Sequence, residues 1–200
     1  MPPDPIPPPA PITPPAPGHG VGPPPRNILL IGLRGAGKSV TGHLLASNLG
    51  RQFTDVDEVT CSLLNCRSVA EAWQTRGIAA FRLAETAALR RILEVPNQVI
   101  ACGGGTPTAP GAAEVIRAAQ RAGAAVVVYL RAPADVLRMR LAGSPPAVES
   151  RPAIYGTDPL AEIDTLLAHR DPLYLALADH IIETSRLTPD KVAEAIALLI

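Results

Sequence analysis

The run Gly32-Leu33-Arg34-Gly35-Ala36-Gly37-Lys38-Ser39 satisfies G-x-x-x-x-G-K-[ST] in full, and each part has a chemical reason. Glycines let backbone N–H groups curl around phosphate oxygens with no Cβ in the way. A helix beginning at the lysine adds the partial positive charge of its N-terminus. The lysine can reach the β and γ phosphates, and the following hydroxyl can ligate Mg²⁺. The motif points to a nucleoside triphosphate and leaves open the fate of the γ-phosphoryl group.

Three other groups of residues could do chemistry. Asp55-Val56-Asp57 can present two carboxylates, one holding Mg²⁺ through water and the other orienting a hydroxyl nucleophile. The pair can equally supply a helix N-terminal Asp cap preceding Glu58. Cys102-Gly103-Gly104-Gly105-Thr106 either permits very close backbone approach to a ligand at a strand end or is a flexible loop. Arg82, Arg151 and Arg170 are each ordinary surface cations if taken singly. Together they can bind an anionic substrate and a transferring phosphoryl group, because the guanidinium fork matches carboxylate and phosphate.

These residues need elements to position them. Asn27–Ile31 is a continuous apolar run, as in a parallel strand buried on both faces, and it runs straight into the glycine loop. Lys38–Asn48 has helical spacing at Val40, Leu44 and Leu45 and closes at Gly50. Gln52–Thr54 is a short segment leading to Asp55. Ser68-Val69-Ala70-Glu71 has the form of a capping box, and Arg76–Leu93 reads as a longer helix with Phe81, Leu89 and Leu93 inward. Gln98–Cys102 and Ala124–Leu130 are further buried strands, Leu160–His169 a helix and His180–Glu183 a last strand. Thr188-Pro189 opens the final helix with a capping hydroxyl and a proline at its first position. Strands alternating with helices imply a parallel sheet covered on both faces. Ala142–Pro159, rich in glycine and proline, interrupts the alternation as a lid would.

Composition sets the outer limits. Of 23 prolines, 13 lie in the first 25 residues, a stretch that can be neither regular helix nor central strand. It reads as a disordered, solvated arm, and the remaining 175 residues suit one domain. Formal net charge is zero, which argues against nucleic acid or an anionic membrane as partner. No stretch of 18 apolar residues occurs, so no membrane span is expected. Cys61, Cys66 and Cys102 fit no zinc spacing and read as free thiols of a cytoplasmic protein.

Taken as a series, the phosphate loop, Asp55-x-Asp57, Phe81-Arg82-x-x-Glu85, Gly103-Gly104-Gly105, Arg151-Pro152, Arg170-x-Pro172-Leu173-Tyr174 and Ala178-Asp179 resemble the shikimate kinases in order and spacing over residues 26–200. The resemblance implies a P-loop NTPase-type three-layer α/β/α fold over 26–200, with a five-stranded parallel sheet of order 2-3-1-4-5, a helical substrate-binding region and a mobile lid. It implies a cytoplasmic, monomeric kinase moving the γ-phosphoryl of ATP to the 3-hydroxyl of shikimate with Mg²⁺. Asp57 would hold the substrate hydroxyls and act as base, and Arg82 and Arg170 would clamp the carboxylate. Gly103, Gly104 and Gly105 would back the ring, and Glu85 would orient Arg82. Gly35, Ala36, Gly37, Lys38, Ser39 and Val40 would bind ATP, and Arg151 would descend from the lid onto the phosphates. Ser39 and Asp55 would serve Mg²⁺, and Arg140 and Pro189 are candidates at the adenine.

The chain departs from the family's usual pattern in places. Ile78 follows Gly77, the lid reads Arg151-Pro152-Ala153-Ile154, and Arg34 adds a charge inside the phosphate loop. A kinase of another acceptor, such as gluconate, and a non-catalytic ligand-sensing module are the competing readings. Removing residues 1–25 is expected to leave shikimate-dependent ADP release unchanged. A large loss of rate would show that the arm is more than a solvated tail.

Overall fold

A computed structural model describes residues 26–144, 153–154 and 158–200. The arm expected over 1–25 lies outside the described residues, as do Pro145, Pro146, Arg151 and Pro152 of the expected lid.

Five strands make one parallel sheet: β1 (Asn27–Ile31), β2 (Gln52–Asp55), β3 (Gln98–Ala101), β4 (Ala125–Arg131) and β5 (His180–Glu183), in the order β2-β3-β1-β4-β5. The central strand is apolar throughout because both its faces are covered. Ile28 and Leu30 join one hydrophobic core, and Leu29 and Ile31, pointing the other way, join the second.

The helices among the described residues are α1 (Lys38–Leu49), α2 (Val56–Leu63), α3 (Val69–Arg76), α4 (Ile78–Leu93), α5 (Ala112–Arg121), α6 (Ala134–Ala142), α7 (Ile163–Leu177) and α8 (Pro189–Ala197). Leu45 and Ala46 of α1, Leu137 and Leu141 of α6 and Val192 and Ile196 of α8 cover one face. Val56 of α2, Leu89 of α4 and Ile116 of α5 cover the other.

Where the helices differ from expectation, each difference has a local cause. Helix α1 turns Lys38, Thr41, Gly42, Leu45 and Ala46 inward and leaves Val40 out in solvent. A Cβ on Gly42 would come within 2.5 Å of the Phe53 ring, so the glycine lets α1 lie tight against β2. The helix expected over Arg76–Leu93 starts only at Ile78. Gly77, at φ 83° and ψ 155°, takes a conformation that favours glycine and divides α3 from α4. Trp73 of α3 and Phe81 of α4 then meet edge to face, 6.1 Å apart. The capping box is half formed. Ser68 Oγ accepts from the Glu71 N–H at 3.1 Å, but the Glu71 carboxylate turns away to Arg67.

Helix α7 is the largest difference. It begins later than expected and runs eight residues past His169, through Pro172. An interior proline costs about 3 kcal/mol in lost hydrogen bonding and ring clash. Packing on both sides of it offsets that cost. Tyr174 and Leu177 are buried in the core, and Asp171 accepts from the Tyr129 hydroxyl at 2.6 Å and from Arg131 Nε and Nη2 at 3.0 and 2.9 Å. The end of β4 thus holds α7 in place.

Burial alone would raise the Asp171 carboxyl, but the hydrogen bonds from Tyr129 and Arg131 outweigh it and hold it below the usual value. A depressed carboxylate contributes stability above its unfolded pKa of about 3.9 and loses it as pH falls through the lower folded value. Asp171→Asn is therefore expected to cost about 1 kcal/mol at neutral pH and to flatten the fall of Tm below pH ~4. An unaltered acid limb in the variant would remove Asp171 from this role.

Candidate active site

The chemistry-bearing residues gather at the carboxyl ends of β1, β2 and β3, the crevice that open α/β sheets use for ligands. After β1 the chain folds into the glycine loop. Gly32 sits at φ 142° with its α-carbon against the Leu130 carbonyl, where a Cβ would collide with backbone. Gly35 and Gly37 take φ of 82° and 92°, and no side chain caps the start of α1. Lys38 Nζ folds back along the loop and donates to the carbonyls of Gly32 at 2.9 Å and Leu33 at 3.0 Å. Val40 and Ser39 line a cavity with Gly35, Gly37, Lys38 and Arg140. Ala36 is buried beneath the loop with its N–H bonded to Leu33 O.

Asp55 caps a helix and also meets the phosphate loop. It is the N-cap of α2, its Oδ1 accepting from the Asp57 N–H at 2.9 Å, while its Oδ2 accepts from Ser39 Oγ at 3.1 Å. One carboxylate so aligns the helix that carries Asp57 and stands beside the phosphate-loop hydroxyl. A hydroxyl and a single carboxylate oxygen suit Mg²⁺, which takes few protein ligands and completes its shell with phosphates and water. Among the described residues no group of three or more His, Cys, Asp or Glu could hold a metal, so these two donors are the fit the site offers.

A second cavity adjoins the first and is lined by Asp57, Trp73, Arg82, Glu85, Gly104 and Arg170 among others. Three elements deliver these groups. The first turn of α2 brings in Asp57. Arg82 comes from α4, lies over the Trp73 ring at 5.8 Å and donates to Glu85 Oε2 at 2.5 Å. Helix α7 supplies Arg170, whose Nη1 donates to Gly104 O at 2.9 Å, and Tyr174, whose hydroxyl donates to the same carbonyl. Burial pushes the Tyr174 hydroxyl up to about 12, so it stays a donor at any ordinary pH.

Glu85 is fully buried, and its second oxygen accepts from Thr106 Oγ1 at 2.7 Å. Burial raises its carboxyl, the Arg82 charge opposes that rise, and the nearby Asp57 charge adds to it. The Arg82 fork is held from below by this partner and presents its remaining N–H groups to the cavity.

The glycine triplet is explained by close approach. A Cβ on Gly103 would strike the Asp57 carboxylate, one on Gly105 would strike the Arg82 guanidinium, and one on Gly104 would come within 3.2 Å of the Arg34 nitrogen. Gly103 supports Asp57 from behind, while Gly104 and Gly105 face the cavity.

The structure thus brings together Lys38, Ser39, Asp55, Asp57, Arg82, Glu85, Gly103, Gly104, Gly105 and Arg170. Arg140 stands at the phosphate-loop cavity, donating to Thr184 O and Oγ1 at 2.6 and 3.0 Å. Pro189 is exposed at the first turn of α8 and does not line that cavity. Arg151 lies outside the described residues. Sequence reasoning left Trp73 and Tyr174 without a role and treated Arg34 only as an added charge. Tyr174 follows Arg170 by four residues, a same-face spacing, but the helix expected over Leu160–His169 stops short of both.

A phosphate loop after the central strand of a β2-β3-β1-β4-β5 sheet, with an arginine-bearing pocket beside it, defines a P-loop phosphotransferase. The family model described as shikimate kinase matches residues 34–200, and the chain belongs to that family. The chain is 36% identical over 171 residues to the shikimate kinase of Rhodopirellula baltica, covering 84% of this chain and 87% of the relative. It is 38% identical over 159 residues to that of Oleidesulfovibrio alaskensis, covering 78% and 87%. The solved shikimate kinase from Acinetobacter baumannii in complex with shikimate superposes with a TM-score of 0.77 at 30% identity, over 88% of this chain and 92% of that one. Among the described residues no helix is long and apolar enough to cross a membrane.

Cys102 lines the phosphate-loop cavity, yet it is buried and burial pushes its thiol far up, which disfavours the thiolate. A thiol reagent on the native protein is expected to modify the half-buried Cys66 first and to reach Cys102 only on unfolding. Rapid labelling of Cys102 in the native state would contradict its burial.

Proposed function

We propose that this protein transfers the γ-phosphoryl group of ATP to the 3-hydroxyl of shikimate, giving shikimate 3-phosphate and ADP. The observation that carries the proposal is the convergence of Asp57, Arg82 and Arg170 on one cavity that adjoins the Lys38 loop. The two guanidinium groups match the carboxylate of a small acid, while Asp57 can accept hydrogen bonds from its ring hydroxyls.

Phosphoryl transfer asks little covalent work of a protein; positioning and charge stabilisation do most of it. With its carboxylate held by Arg82 and Arg170, the acceptor presents a hydroxyl at Asp57, which takes the proton as the oxygen attacks phosphorus. Lys38, already among the loop carbonyls, turns to the β and γ oxygens when a triphosphate enters. The α1 N-terminus and the N–H groups of Gly35 and Gly37 face the phosphate chain. Ser39 and Asp55 would hold Mg²⁺, which when bound neutralises charge on the β and γ phosphates. Gly104 and Gly105 back the ring without a side chain, which leaves room for a flat acceptor.

The direct test is a coupled assay of ADP release with ATP and Mg²⁺, with shikimate, gluconate or no acceptor. Shikimate-dependent turnover is expected, and its absence would sink the proposal. Arg82→Ala should weaken shikimate binding by about a hundredfold, the loss of a charge-assisted pair, and leave nucleotide affinity within a few fold. Loss of both affinities would argue against the clamp. Asp57→Asn should lower kcat by about 10²–10⁴, the usual worth of a general base, with nucleotide binding retained.

A further inference from the structure

Arg34 lines both cavities, the one at the phosphate loop and the one that holds Asp57, Arg82 and Arg170. It is buried, an uncommon place for an arginine unless the charge is matched. Its Nη2 donates to Oε1 of Glu162, equally buried, and to the Pro159 carbonyl at 2.7 Å. The other Glu162 oxygen accepts from the Ile154 N–H at 2.7 Å, and Ile154 lines the acceptor cavity. On its main-chain side Arg34 lies against Gly104, whose carbonyl holds Arg170 and Tyr174. One residue of the phosphate loop is thus joined by its backbone to the wall behind the acceptor and by its side chain to the segment that bounds the acceptor on another side.

We infer that the Arg34–Glu162 pair is a positioning element that couples occupancy of the nucleotide site to affinity at the acceptor site. The inference rests on the acceptor assignment above. When phosphates draw the loop into its bound shape, the Arg34 guanidinium moves with it. Glu162 transmits that shift to Ile154, since one of its oxygens accepts from Arg34 and the other from the Ile154 N–H. A buried ion pair suits this task because its geometry is stringent: breaking one partner strands the other charge, so the pair shifts as a unit. It need add nothing to net stability, since such pairs often balance their own desolvation. Coupling of this kind is reciprocal, so each ligand must tighten the other by the same factor.

The test is calorimetric titration of the full chain with shikimate in the absence and presence of saturating ADP and Mg²⁺, and with ADP in the absence and presence of shikimate. For the unaltered chain the two ratios of dissociation constants should agree and show a gain of about fivefold or more, the lower end of ordinary allosteric coupling. In Glu162→Gln, which keeps the shape and removes the charge, the ratio should fall to about one whatever the separate affinities become. Arg34→Met combined with Glu162→Leu removes both charges together and serves where the single variant does not fold; it too should show a ratio near one. A folded variant that keeps the ratio of the unaltered chain would overturn the inference, as would a ratio of one in the unaltered chain. A general structural defect would weaken both ligands and leave the ratio unmoved, which also counts against it. Failure of the unaltered chain to bind shikimate at all would strike the acceptor assignment, a distinguishable result.

Discussion

Three consecutive glycines after β3 let functional groups press close on the chain, and the site is arranged around that close approach. Gly103, Gly104 and Gly105 are pressed on by the Asp57 carboxylate, the Arg34 backbone and the Arg82 guanidinium in turn. Because none of the three occupies the left-handed region, the requirement is for space, not for unusual torsion angles. Groups from β1, α2, α4 and α7 can approach one turn closely only if the turn itself is bare. The Gly104 carbonyl, left open, becomes the shared acceptor for Arg170 and Tyr174. A methyl group at Gly103 or Gly105 would displace the Asp57 carboxylate or the Arg82 guanidinium from its present place.

Charge management is the second theme. The cavity beside the phosphate loop is lined by Arg34, Arg82 and Arg170, and cations in a half-enclosed pocket need partners that do not neutralise their outward donors. Arg82 has Glu85 beneath it, and Arg34 has Glu162. Both acids are buried, and both have a second oxygen committed elsewhere, to Thr106 and to Ile154. The carboxylates therefore act as anchors set behind the guanidinium groups. Lys38 is handled differently. A compact ammonium can rest on loop carbonyls and swing away from them, which a planar fork cannot do as readily.

Much of this was legible beforehand, and for physical reasons. A parallel strand buried on both faces must be apolar throughout, so Asn27–Ile31 announced itself. A phosphate loop has few alternatives once a strand precedes it and a helix follows. Asp55, Asp57, Arg82, Glu85 and Arg170 could be named because their types and order matched a known pattern. The rest depended on tertiary contact. Nothing local says that Val40 faces outward while Gly42 faces in; that follows from Phe53 lying across the helix. Gly77 as a divider of helices needed the Trp73–Phe81 contact to make sense of it. The helix expected to stop at His169 continues through Pro172, whose local cost is real, and only the bonds from Tyr129 and Arg131 to its neighbour show why. Glu162 had no motif at all, its partner being 128 residues away.

Helix α7 carries a consequence for how the molecule comes apart. Its first turns bury Ile163 and Leu166 in the core on one side of the sheet, and its last turns bury Tyr174 and Leu177 in the core on the other. An element sunk in both cores cannot come away whole without exposing apolar surface on both. The two layers are accordingly tied into a single cooperative unit, and amides at the middle of α7 belong with those that exchange only through global opening. Arg170 rides on that tie, so the cation farthest along the chain in the acceptor cavity is also among the last to lose its place.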